Sequence, residues 1–176
     1  AANAAGEDVE PLQAENEIPK DGMISQAQMA TISGKDGIYY FNGETEDGIG
    51  YQWAYDGKKV QNPIEQKLKI ETASDDLEEI QKTAGNAPYG LGITLQKMEL
   101  AAPATLTLTL PEAWDADRVL YCTYEDGTIY QLAQAEIAQV KNGKQEVSEL
   151  SVTVSKTGDT FYFLGGSSQG AKTQNG

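Results

Sequence analysis

Alternation of apolar and polar residues is the strongest periodic feature of the chain. In 105–110, Thr-Leu-Thr-Leu-Thr-Leu, the leucines fall on one face and the threonines on the other, as in a strand with one buried face. The same period of two recurs at 67–71, 92–96 and 150–155. We therefore predict strands at these four positions.

Other segments rich in β-branched and aromatic residues end at turn-forming pairs. The clearest is a hairpin in which 118–124 and 128–132 flank Asp126-Gly127, a pair typical of tight hairpin turns. Further strands are predicted at 28–32, 37–41, 49–55 and 160–164.

One segment, near 74–84, has helical features instead. Ser74 is a typical N-cap residue, and acidic residues follow it in the first turn, where the helix dipole favours negative charge. Leu77 and Ile80 are three positions apart, so both would face the sheet. We predict a short helix that crosses between strands.

About ten short strands and one helix predict a mainly all-β fold, specifically a two-sheet antiparallel β-sandwich. A barrel is the alternative, because alternation does not reveal whether a sheet closes. Residues 1–20 are acidic and poor in large apolar side chains, which predicts a disordered N-terminal tail. Residues 166–176 resemble a flexible Gly/Ser-rich linker, which leaves 21–165 as a single domain.

Composition excludes several classes of function. The chain has 13 basic and 27 acidic residues and a formal charge of -14, so we expect no binding to nucleic acid. It has no histidine, which excludes histidine-based catalytic triads and histidine-ligated zinc. The one cysteine, Cys122, has no partner for an internal disulfide and lies within a predicted strand, so we expect a small core residue.

No run approaches the ~18 apolar residues that span a bilayer, and we predict no membrane insertion. The first residues, AANAAGEDVE, are typical of the region that follows a cleaved export signal. We therefore expect a secreted or cell-surface protein; a cytosolic protein is the alternative.

Three aromatic residues are the candidate ligand-binding site. Tyr51, Trp53 and Tyr55 occupy alternate positions, so on a strand they share one face and could stack on sugar rings. The alternative is that Trp53 is the core tryptophan of the sandwich and the tyrosines pack beside it.

The sequence gives weaker support for a metal-binding or catalytic site. The acidic stretches 44–48 and 115–117 lack the spacing of a calcium-binding EF-hand, although a bound Ca²⁺ at either is left open. We predict no metal, cofactor or catalytic residue. A pair of carboxylates could still hydrolyse glycosides, but no pair stands out among the acidic residues.

Three segments carry a family resemblance. The string 51–63 (YQWAYDGKKVQNP), the tyrosine-rich 119–124 and the closing 159–164 (DTFYFL) resemble accessory β-modules of secreted and wall-attached proteins of clostridia and related Gram-positive bacteria. Where those modules often show His-Cys-Ser, this chain has 156–158, Lys-Thr-Gly.

The resemblance implies an extracellular, non-enzymatic, Ig-like module that serves as a spacer, adhesion or interaction domain. Its partner would be a host or microbial glycan or a protein, and we expect a monomer. A carbohydrate-binding module that uses the aromatic strip is the second hypothesis, and a carboxylate-based hydrolase is the third.

Overall fold

The computed structural model describes residues 9–166. Within this range the chain forms twelve strands, two α-helices and a short 3-10 turn at Gly57–Lys59. The strands are β1 (Glu15–Glu17), β2 (Met23–Ile24), β3 (Ile38–Glu44), β4 (Gly50–Asp56), β5 (Gln66–Lys67), β6 (Ile70–Thr72), β7 (Tyr89–Leu95), β8 (Ala104–Thr109), β9 (Arg118–Glu125), β10 (Thr128–Asn142), β11 (Gln145–Val154) and β12 (Asp159–Gly166). The helices are α1 (Gln26–Ala30) and α2 (Leu77–Thr83).

Ten of the strands form one continuous sheet, which curls into a large half-barrel. Its order is β1-β3-β4-β8-β11-β10-β9-β12-β7-β6, and β2 pairs with β5 in a small separate ribbon. Neighbouring strands are antiparallel except β1 and β3, which are parallel. The mainly β fold is confirmed, but the predicted separation into two sheets is not.

Strand β10 is the reason that the sheet is continuous. Its first part pairs with β9 and its second part, 136–142, pairs with β11. Leu132 is an extra, unpaired residue between Gln131 and Ala133, and such a bulge bends and twists a strand. The sequence predicted that this strand ends at residue 132, whereas it only bends there.

The alternation at 105–110 corresponds to a strand with one buried face, as predicted. Leu106 and Leu108 are buried, whereas Thr105 is exposed and Thr107 is half-buried on the outer face. Thr107 and Ser151 share a hydrogen bond of 3.0 Å between their hydroxyl groups. The strand thus has one face in the core and one polar face toward solvent.

Helix α2 covers the outer face of the other half of the sheet. Ile80 is fully buried and packs with Cys122, Tyr162 and Leu164. The predicted helix is confirmed, but it begins at Leu77, and its N-cap residue, Asp76, makes no side-chain capping hydrogen bond.

The strand predicted at 28–32 is wrong, because this segment belongs largely to helix α1. Ser25 and Gln28 form a capping box: the amide of Gln28 donates to Ser25 Oγ at 3.0 Å, and the amide of Ser25 donates to Gln28 Oε1 at 2.9 Å. The buried residues Met29 and Ile32 are three positions apart, a helical spacing. Neither helix within residues 9–166 is long and apolar enough to cross a membrane.

The predicted N-terminal tail includes residues that the structure places in the domain. Glu15–Glu17 pairs with β3, and Leu12 and Ile18 pack against the core. Backbone hydrogen bonds to β3 hold this acidic segment, so its composition alone was misleading. The tail residues 1–8 lie outside the described range, as do residues 167–176 of the predicted linker, whereas Gly166 belongs to β12.

A buried amide joins separate parts of the chain within the core. Gln66 is fully buried, and its Oε1 accepts hydrogen bonds from Tyr55 Oη at 2.7 Å and from the amide of Ala101 at 3.1 Å. Its Nε2 donates to the carbonyl oxygens of Glu65 and Glu99, both at 2.9 Å. Because buried polar atoms are costly unless paired, these bonds fix the two loops against β4.

Replacing Leu108 by alanine should lower the free energy of unfolding by about 2–5 kcal/mol, since it leaves a cavity in the core. The matched variant Thr107→Ala loses only a half-buried side chain and should cost less than about 1 kcal/mol. Chemical denaturation measures both effects. Equal losses would mean that the inward face of β8 is misassigned.

Two tyrosine hydroxyls should differ in their effect on stability. Tyr121 Oη is buried without a hydrogen-bond partner among the described residues, so Tyr121→Phe removes an unpaired polar group and should be neutral or stabilising by up to about 1 kcal/mol. Tyr55→Phe deprives Gln66 of a donor and should cost about 1–2 kcal/mol. Thermal and urea unfolding of the two variants measure the contrast, and a larger loss for Tyr121→Phe would contradict it.

Candidate functional site

The predicted aromatic strip lies inside the protein. Tyr51, Trp53 and Tyr55 point inward from β4 and are 6%, 1% and 0% exposed. Trp53 Nε1 donates to the carbonyl oxygen of Leu68 at 2.9 Å, and Tyr55 bonds to Gln66. Burial also raises the pKa of Tyr55 well above its usual range.

The position of β4 explains this burial. Strand β4 lies between β3 and β8, and Tyr51 and Trp53 pair with Leu108 and Leu106 on the leucine face of β8. A sugar platform needs open ring faces, so these three side chains are not available for that role. Through the hydrogen bonds of Trp53 and Tyr55, they instead fix the segment around Gln66 and Leu68 against the core side of β4.

The only thiol is not placed to act as a nucleophile. Cys122 is fully buried beneath helix α2, and burial raises its pKa to about 12. Because the thiolate is the reactive form, this cysteine serves as a packing residue.

The acidic turn at 44–48 joins two strands. Asp47 accepts hydrogen bonds from Thr45 Oγ1 at 2.7 Å and from Thr72 Oγ1 at 3.1 Å, and the bond from Thr45 is the main cause of its lowered pKa. Among residues 9–166, no three His, Cys, Asp or Glu side chains converge as a metal-binding group would require.

A cleft of about 590 Å³ lies between β3 and β4, near one end of the curled sheet, and β6 at its other end. Its walls come from 18–20, 43–46 and 69–72, together with Tyr51. Both lysines and glutamates line it, and Lys69 Nζ lies 4.0 Å from a carboxylate oxygen of Glu71. These charges compensate one another in part, and the cleft has no exposed aromatic ring that could hold a ligand.

A second depression, of about 480 Å³, lies at the β9–β10 hairpin. Its lining combines aromatic, aliphatic and charged side chains: Thr123, Tyr124, Glu125, Tyr130, Leu132, Lys156 and Asp159.

Two exposed apolar side chains distinguish this depression. In the described part of the chain, three large hydrophobic residues are exposed: Ile38, Tyr130 and Leu132. Tyr130 and Leu132 both line the depression, with exposed fractions of 51% and 43%. Exposed apolar groups that cluster at one concave place mark candidate binding surfaces.

The hairpin and its bulge position these two side chains. Asp126 and Gly127 both have positive φ, 51° and 78°, which suits the tight turn. Tyr130 pairs with Thr123 across the hairpin, and the bulge at Leu132 follows at once. Bulges often redirect a side chain, and here the bulged residue lines the same depression as Tyr130.

Charged groups surround the apolar pair. Glu125 and Asp159 supply carboxylates, and Lys156 Nζ lies 3.8 Å from Asp159 Oδ2. Tyr124 Oη donates to Glu79 Oε2 of helix α2 at 2.7 Å, so the helix supports the outer face of the hairpin, opposite the face of Thr123 and Tyr130. The depression therefore offers a ring face, hydrogen-bond acceptors and one cationic donor.

Sequence reasoning missed this site. It treated Tyr130 as one of many strand aromatics, because strands favour aromatic residues. The available signal was the spacing of Tyr130 and Leu132, two apolar residues at alternate positions that begin three residues after the predicted turn at Asp126-Gly127. That spacing did not reveal that the core does not extend to these two side chains, which leaves both exposed.

No protein family, curated protein or solved structure was found to match this chain. The resemblance to clostridial surface modules therefore stays a prediction.

Proposed function

We propose that this chain is a non-enzymatic interaction module of an exported bacterial protein, and that it binds its partner at the depression around Tyr130. The observation that carries the proposal is the exposure of Tyr130 and Leu132 together in one concave site. Elsewhere the large apolar side chains of the described range are buried or half-buried, apart from Ile38.

Fold considerations support the module proposal. One core cluster combines Trp53 and Leu108 from one half of the sheet with Tyr121 and Phe161 from the other. We propose that the half-barrel is a variant of the two-layer, Ig-like sandwich, with its layers joined through β10. Such a framework is rigid and presents loops and hairpins at its ends.

Chemical considerations support a role without catalysis. The chain has no histidine, and its thiol is buried beneath α2 with a raised pKa. The remaining route is a carboxylate pair, for which Glu125 and Asp159 in the depression are the candidates. A surface location is supported by the resemblance at 51–63.

Binding of the full chain to intact Gram-positive cells and to host epithelial cells tests the proposal. Tyr130→Ala and Leu132→Ser should each reduce the bound fraction several-fold, because central apolar contacts carry most of the energy of an interface. Ile38→Ser is the matched control, since Ile38 and Leu132 are equally exposed at 43%. Thermal melts would check that all variants fold.

Binding that is unchanged in Tyr130→Ala and Leu132→Ser would contradict the proposed surface. A hydrolase assay on a polysaccharide panel tests the non-enzymatic part. Turnover that is lost in both Glu125→Gln and Asp159→Asn would overturn it.

A further inference from the structure

The apolar part of the depression is small and lies beside polar groups. Tyr130 offers a half-exposed aromatic ring, and Leu132 adds an aliphatic side chain next to it. A sugar ring presents C–H groups on its faces and hydroxyl groups at its edge. Such a ring can cover an exposed tyrosine while its edge stays in contact with polar atoms.

The polar groups around the pair match the hydroxyl groups of a sugar. The carboxylates of Glu125 and Asp159 accept hydrogen bonds, the ammonium of Lys156 donates them, and the hydroxyl of Thr123 can do either. Each sugar hydroxyl both donates and accepts, so it can pair with any of these groups.

Charge narrows the class of ligand. Two carboxylates and one ammonium line the depression, on a chain with a formal charge of -14. Sulfated or uronic glycans would be repelled at long range. Two apolar side chains also give little area for a protein interface, which normally buries about 800 Å² on each partner.

We infer that the depression binds a neutral saccharide, with its ring stacked on Tyr130 and against Leu132 and its hydroxyls bonded to Glu125, Asp159 and Lys156. The inference rests on the proposed function, because it names the ligand class of the same surface. It also places saccharide binding on the β9–β10 hairpin instead of β4.

Titration of the full, isotope-labelled chain with cellohexaose, xylohexaose and chitohexaose, up to about 5 mM of each, tests the inference. At least one should shift the amide resonances of 123–132 and 156–159. Tyr130→Ala should weaken that binding about tenfold or more, whereas Tyr130→Phe, which keeps the ring, should stay within about threefold. Leu132→Ser should weaken it, and Ile38→Ser should leave it unchanged.

Two outcomes would overturn the inference. One is that none of the three neutral oligosaccharides shifts these resonances, whether or not a sulfated hexasaccharide, titrated in the same way, does so. The other is binding that survives Tyr130→Ala. If the chain binds cells through Tyr130 but binds no oligosaccharide, the proposed interaction module is retained and its partner is a protein. If the chain binds neither cells nor oligosaccharides, both proposals are wrong.

Discussion

The hydrogen bonds of the buried Gln66 amide are the constraint on which the remaining architecture depends. Its two polar atoms must be paired inside the core, and they bind Tyr55 of β4 and the segments around Glu65, Glu99 and Ala101. These segments belong to the part of the chain that leaves β4, crosses to β7 and returns to β8. Once β4 anchors them, its aromatic side chains are committed to the interior, and a binding surface has to form elsewhere.

The bulge in β10 connects the architecture to that surface. A regular strand of fifteen residues would keep one face toward the core along its length, but the extra residue Leu132 changes the side on which the following residues lie. Ala135 therefore lies opposite Val119 and is buried in the core, while the extra residue Leu132 is left exposed. The distortion that lets the sheet curl from one half to the other thus also places an exposed aliphatic side chain beside Tyr130.

The parts of the fold that sequence predicted are those in which local pattern and final environment agree. Alternation in β8, the Asp126-Gly127 hairpin and helix α2 are local features. The position of Trp53 in its strand left two alternatives, a core residue or a sugar-binding residue, and the structure shows the first. Long-range contacts decided the rest. Strand β1 exists because β3 offers it backbone partners, and the site at Tyr130 exists because the core ends there. Neither fact is encoded within a short window of residues.

A curled sheet that does not close ends in two strands, and both are three residues long. Strand β1 carries Glu15 and Glu17, and β6 carries Glu71. Free strand edges are templates on which other chains can add and grow into fibrils. Here such growth would bring glutamates of one chain beside those of another, on molecules that already repel through a formal charge of -14. Short, acidic edges thus protect an open β-architecture from amyloid-like assembly at neutral pH.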